Sequence, residues 1–160
     1  MITIGKLRFL HIDRKCFSFV GSPVEGSIDY QKWVNYIDDK SDIFIWEENT
    51  EKGKKRLDNI NNIPFEFQKH ALAWLNKVWC YAKFNIKKGD YDISASCSDE
   101  TKQITIYFER SPKIEELRLF LDMAKHLDAL LLYRGKKIID DKLIDELEKQ
   151  QIEKKKKNKP

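Results

Sequence analysis

The sequence predicts an α+β domain, a mainly antiparallel sheet with helices packed on one face. Three observations lead there. Runs with apolar residues at every second position come in pairs joined by short polar turns, as in hairpins. Other stretches place their apolar residues three and four apart, the helical period. The chain has 160 residues, with 41% hydrophobic and 12% aromatic content, including four Trp and nine Phe. A chain of that size and content can bury one core without disulfides or metal.

The elements follow in order. Ile2 and Ile4 alternate, as do Leu7 and Phe9, then Phe17 and Phe19. This predicts strands over 2–12 and 15–20, turning at Asp13-Arg14. Ser27 is placed to cap the next helix, with Asp29 in its first turn. Tyr30, Trp33, Val34 and Ile37 form the apolar stripe of that helix. The polar break DDKSD ends it, and IFIW at 43–46 reads as a strand. Residues 47–62 are polar and weakly periodic, with one helical turn expected at Leu57 and Ile60. A split sheet, or two small lobes around this stretch, is the alternative architecture.

Pro64 opens what reads as the longest helix, 65–84. Phe67, Ala71, Trp74, Leu75, Val78 and Ala82 share one face, which Leu72 and Trp79 widen to about half the circumference. Such a helix is expected against a sheet or between two layers. Gly89 is a stop signal. Tyr91, Ile93, Ala95 and Cys97 then alternate, as do Ile104, Ile106 and Phe108, with SDET as the turn between them. Ser111-Pro112 starts a helix over 112–127, with Glu115 and Glu116 near its positive end and Arg118, Asp122, Lys125 and His126 on its polar side. LLLY, Arg134-Gly135 and KIID form another hairpin. Asp140 or Asp141 caps a last helix carrying Leu143, Ile144 and Leu147. One domain is expected over 1–148, followed by a disordered, Lys-rich tail over 149–160.

Charge and cysteines restrict function. The chain carries +4, but the tail alone carries +5, so the preceding 148 residues carry −1. The basic balance belongs to the tail, which weakens an argument from charge to nucleic acid. Cys16, Cys80 and Cys97 are an odd number without a CxxC pair, which suggests a reducing compartment. The N-terminal residues do not read as a secretory signal, and no apolar run is long enough to span a bilayer. A soluble, cytoplasmic protein without membrane association is expected.

The motifs are mostly negative. Gly21 and Gly26 have the separation of a phosphate loop, but Ser27 stands in the Lys position, Ile28 in the hydroxyl position, and Glu25 brings negative charge. The expected reading is a connecting loop stiffened by Pro23. EKGKKR at 51–56 reads as a solvated loop that could contact a polyanion. His11, His70 and His126 have no metal-ligand spacing, and DDKSDIFIWEEN fails as a calcium loop at Lys40, Ile43 and Asn49. No metal or cofactor is expected. There is no nucleophile elbow. Cys80, on the polar side of the long helix, is the best placed of three cysteines that otherwise read as inert. His70 reads as a boundary residue, and a carboxylate cluster of Asp90, Asp92 and Glu109 would be the basis of an unrecognised enzyme site. Tyr107 beside Thr105 and Glu109 is a poor match to a base-stacking strand.

The least ordinary feature is the charge at 38–51. Asp38, Asp39, Asp42, Glu47, Glu48 and Glu51 face a single Lys40 and flank IFIW. Alternation puts Phe44 and Trp46 on one side of that strand. The leading expectation is a non-enzymatic binding protein whose acidic rim surrounds a Trp46 anchor and meets a basic protein surface. Intracellular inhibitors such as immunity proteins are of this general type, by analogy and not by any shared motif. The alternative is a nucleic-acid or ribonucleoprotein accessory acting through Lys52, Lys54, Lys55, Arg56 and the tail lysines Lys154, Lys155, Lys156 and Lys157.

Overall fold

Among the residues that the computed structural model describes, 2–18 and 26–159, seven strands form one antiparallel sheet. They are β1 (Phe9–Asp13), β2 (Ile45–Trp46), β3 (Trp79–Asn85), β4 (Asp90–Ser96), β5 (Ile104–Phe108), β6 (Leu130–Tyr133) and β7 (Lys137–Ile138). Their order across the sheet is β2-β3-β4-β5-β1-β6-β7. The helices are α1 (Tyr30–Asp39), α2 (Glu51–Asp58), α3 (Phe65–Trp74), α4 (Ile114–His126) and α5 (Asp141–Lys157). This is the α+β architecture expected from the hairpins.

Register follows from the two-residue period of a strand. Ala95 lies opposite both Cys80 and Ile106, Ile93 opposite Ala82 and Phe108, and Ile12 opposite Ile104 and Leu131. All of these side chains are buried on one face. They form one core with Trp33, Val34 and Ile37 of α1, Leu117, Phe120 and Met123 of α4, and Ile144 and Leu147 of α5. The ring of Phe120 packs edge-on to Phe108 at 5.7 Å and lies 6.1 Å from Phe44. The opposite face carries Phe9, Thr105 and Tyr107 and stays partly open, with Phe9 at 46% exposure.

Several expectations need correction. The helix expected over 65–84 is two elements, α3 and the strand β3. Lys77, at φ 52°, turns the chain between them. The apolar spacing of 67–82 fits a helix, but Cys80 and Ala82 also alternate, and pairing with β4 decides for the strand. Residues 15–18 form no strand; the Phe17 N–H donates to the Gly135 carbonyl at 2.8 Å, and β1 pairs β5 and β6 instead. Residues 51–56 are helical, because the Thr50 hydroxyl caps them by accepting from the Gly53 N–H at 3.0 Å. Among the described residues of the tail, α5 runs to Lys157. No residue between Leu147 and Asn158 breaks a helix, and lysines suit a helix C-terminus.

Caps also shift by a few positions. The N-cap of α1 is Asp29, which accepts from the Lys32 N–H at 3.1 Å, while Ser27 is tied to Asp13. In α4 the Glu116 carboxylate accepts from the Lys113 N–H at 2.9 Å, in place of a Ser111 cap. Asp140 caps α5 as expected, accepting from Leu143 N–H at 2.9 Å.

Candidate functional site

The acidic segment 38–51 is mostly part of the fold. Trp46 is 6% exposed and Phe44 4% exposed. The Trp46 ring stands edge-on to Trp33 at 5.4 Å, and its Nε1–H donates to Asp38 Oδ1 at 2.8 Å. That bond, joined by Lys77 at 3.0 Å, holds the Asp38 carboxyl below its ordinary range despite some burial. Glu47 is buried and accepts from Arg56 at 2.8 Å. Glu48 accepts from the Lys77 N–H at 3.0 Å. Trp46 is therefore a core residue and not an available anchor. Of the proposed rim, Asp39, Asp42 and Glu51 remain exposed without an ion pair among the described residues. The physical reason is local: β2 is two residues long, and Phe44 and Trp46 point inward on either side of its start.

The cationic candidates are also divided. Lys52 pairs with Asp90 at 3.1 Å and Arg56 with Glu47. Lys54 and Lys55 are exposed on α2, and Lys154, Lys155, Lys156 and Lys157 are exposed on the last turn of α5, far along the chain from its last fully buried residue, Leu147. α2 sits close to the 3-10 turn before it: a Cβ on Gly53 would meet the Glu47 carbonyl oxygen at 1.7 Å, so only glycine fits there.

The chemical candidates do not assemble. Cys80 is fully buried in β3, and burial pushes its thiol well up, with Cys97 and Glu48 adding to the effect. It is the opposite of a reactive thiol, which corrects the helix-based placement. Burial likewise raises Cys97 to about 12. Asp92 is buried and held by Arg110 at 3.1 Å, which also grips Glu116 with two nitrogens at 2.8 and 2.9 Å. Asp90 goes to Lys52 instead, so Asp90, Asp92 and Glu109 form no shared site. Of the glycine loop, Gly21, Pro23 and Glu25 lie outside the described residues. The Gly26 and Ile28 N–H groups donate to the carbonyls of Thr101 and Lys102, and the Ser27 N–H to Asp13. A Cβ on Gly26 would lie 2.0 Å from the Lys102 carbonyl oxygen. Those amides serve the fold and are not directed at an anion. Among the described residues no group of three His, Cys, Asp or Glu is arranged to hold a metal ion, and no helix is long and apolar enough to cross a membrane.

The surface that stands out lies in the insertion between β2 and β3. α3 has ten residues and none is buried. Phe65 is 87% exposed, Phe67 59%, Leu72 44% and Trp74 54%. At 100° per residue its apolar side chains cover about half the circumference. Ala71, half-buried, and Leu75, buried just past its end, mark the middle of that arc and line the cleft beside α2. Phe67 and Trp74 lie on one flank, Phe65 and Leu72 on the other. Between α3 and α2 is a cleft of about 680 Å³, floored by Ile60, Ile63 and Leu75 and walled by Trp74 and His70. Lys55 and Arg56 form its other rim and also border a second hollow of about 520 Å³ that holds Tyr81, Phe84 and Tyr91. Glu47 lies at the floor of this second hollow, and its bond to Tyr81, after burial, pushes that phenol well up.

Sequence reasoning identified the width of the apolar arc on α3 but assigned it to the interior. The signal that could have revealed its exposure is the polar stretch before Pro64, which supplies no second apolar layer to cover it. Compared with known protein families, curated proteins and solved structures, the chain matches none.

Proposed function

We propose that this chain is a recognition protein, without catalytic activity, that works by protein–protein contact through its α2–α3 face. The observation that carries the reading is α3, whose apolar half-cylinder is built for burial and has no buried residue. Apolar surface of this extent on one element is typical of interaction sites. Exposed tryptophan with aromatic neighbours, as at Trp74 and Phe67, is the side-chain type enriched in hot spots. The surface therefore moves from the acidic segment 38–51 to the helices that follow it. The free thiols Cys80 and Cys97, both buried, suit a cytoplasmic setting, where an intracellular inhibitor would act in this manner.

The test replaces Phe67 and Trp74 together by Asp in the full chain. Partner capture from native lysate should be lost while the thermal midpoint stays within a few degrees, about the effect of a small surface change. Capture of the same proteins by wild type and variant would refute the reading.

A further inference from the structure

We infer that the α2–α3 cleft receives an amphipathic helix of another protein, one whose apolar ridge is flanked by carboxylates. This deepens the proposed function and rests on it. Shape is the first support. The cleft is a trough of about 680 Å³ between two helices. A ridge of side chains on a third helix fills such a trough, as in helix-in-groove recognition. A flat lipid surface would leave it empty.

Charge is the second support. Lys55 and Arg56 are the charged side chains bordering the cleft, and no carboxylate lines it. Lys55 has no ion pair among the described residues. Arg56 holds Glu47 through Nη1 while 62% of its side chain stays exposed. An anionic group beside the apolar ridge therefore finds cations already at the rim. A second copy of this chain fits less well. A two-fold contact centred on this cleft would gather two sets of Lys55 and Arg56 in one interface with no carboxylate from either cleft lining to balance them, and like charges oppose such pairing. Extent is the third support. The apolar surface continues beyond the cleft to Phe65 and Leu72 on the far flank of α3. A small amphiphile confined to the cleft would leave these wet, whereas a folded partner carrying the helix covers both flanks.

The test uses the full chain and three labelled helical peptides of about five turns each. All share one Leu/Ala ridge, flanked by Glu, Gln or Lys. Fluorescence anisotropy should show the Glu-flanked peptide binding about tenfold more tightly than the Gln-flanked one, with the Lys-flanked peptide weakest. K55E leaves Arg56 as the rim's remaining cation and should sharply narrow the gap between the Glu- and Lys-flanked peptides, and its unchanged circular-dichroism melt would show that the fold is kept. Equal affinities, or no binding of the Glu-flanked peptide, would overturn the inference. A second arm places a benzophenone side chain at position 67 and sequences the photoadducts formed in native lysate. Adducts on an acidic amphipathic helix support the inference. Adducts on a protein segment of other chemistry overturn it and leave the proposed function standing. Lipid adducts, or none above the same label at position 115, overturn both.

Discussion

α4 and α3 have comparable apolar content and opposite fates. α4 buries Leu117, Phe120, Leu121, Met123 and Ala124 against the sheet. α3, with Phe65, Phe67, Leu72 and Trp74, buries nothing. The difference is what lies across from each helix. α4 follows β5 directly and lies over its inner face, where Phe108 meets Phe120. α3 follows α2 in an insertion beyond the sheet edge, where the nearest layer is a short, polar helix. Apolar periodicity therefore identifies a face that must be covered, but not whether this chain covers it.

The largest expected effect tests that contrast directly. Phe120→Ala should cost about 3–5 kcal/mol in urea unfolding, because it leaves a cavity in a closed core. Trp74→Ala removes a larger side chain and should change stability by less than about 0.5 kcal/mol, because its surroundings are already open to water. Similar losses at both positions would show that α3 is integral to the core. Next in size is Arg110→Met, expected to cost about 3 kcal/mol, since it strands Glu116 (1% exposed) and Asp92 without their shared cation. Gly53→Ala should cost about 1–3 kcal/mol by forcing α2 away from the Glu47 carbonyl. It should also weaken partner capture, because α2 forms one wall of the cleft. Loss of stability with unchanged capture would separate the two helices functionally.

The smallest effect is pH dependence, and it belongs to the sheet side of the contrast. His11 is buried beneath Phe9 and Phe17, and burial holds its pKa below 6.5 although Asp13 opposes this. A histidine depressed in this way contributes stability that is present above 6.5 and lost as pH falls toward the folded value. Glu116 sits below its ordinary 4.5: burial raises it, but the Arg110 hydrogen bonds and the Lys113 N–H outweigh that. Its contribution is present above 4.5 and lost as the pH drops through the folded value. Urea midpoints followed from about pH 7.5 to about pH 3 should fall in two stages.

Much of the sheet was legible. Ile93, Ala95, Ile104, Ile106 and Phe108 alternate cleanly, and their burial on one face follows from the strand period alone. α1 was legible from Trp33, Val34 and Ile37 at helical spacing, and β6 and β7 from the turn at Arg134-Gly135, both in the left-handed region. β3 was not legible. Val78, Trp79 and Ala82 continue the helical spacing of α3 as well as they fit a strand, and only β4 alongside them resolves the ambiguity. The candidate site failed for a related reason. An acidic run around Trp46 looks like a rim around an anchor, because sequence shows the charges and not that Trp46 itself, Arg56 and Lys77 are bonded to Asp38 and Glu47.

The sequence by itself determined the fold class, the inward faces of β4, β5, α1 and α4, and the presence of one strongly apolar helix after Pro64. These are local properties, set by periods of two and 3.6 residues along the chain. Tertiary structure alone decided that this helix stops at Trp74, that Trp46 belongs to the core, and that α3 has its apolar flanks facing solvent. Each of these depends on which surface lies opposite, and that is set by strand pairing and packing between segments, not by the period of any one segment.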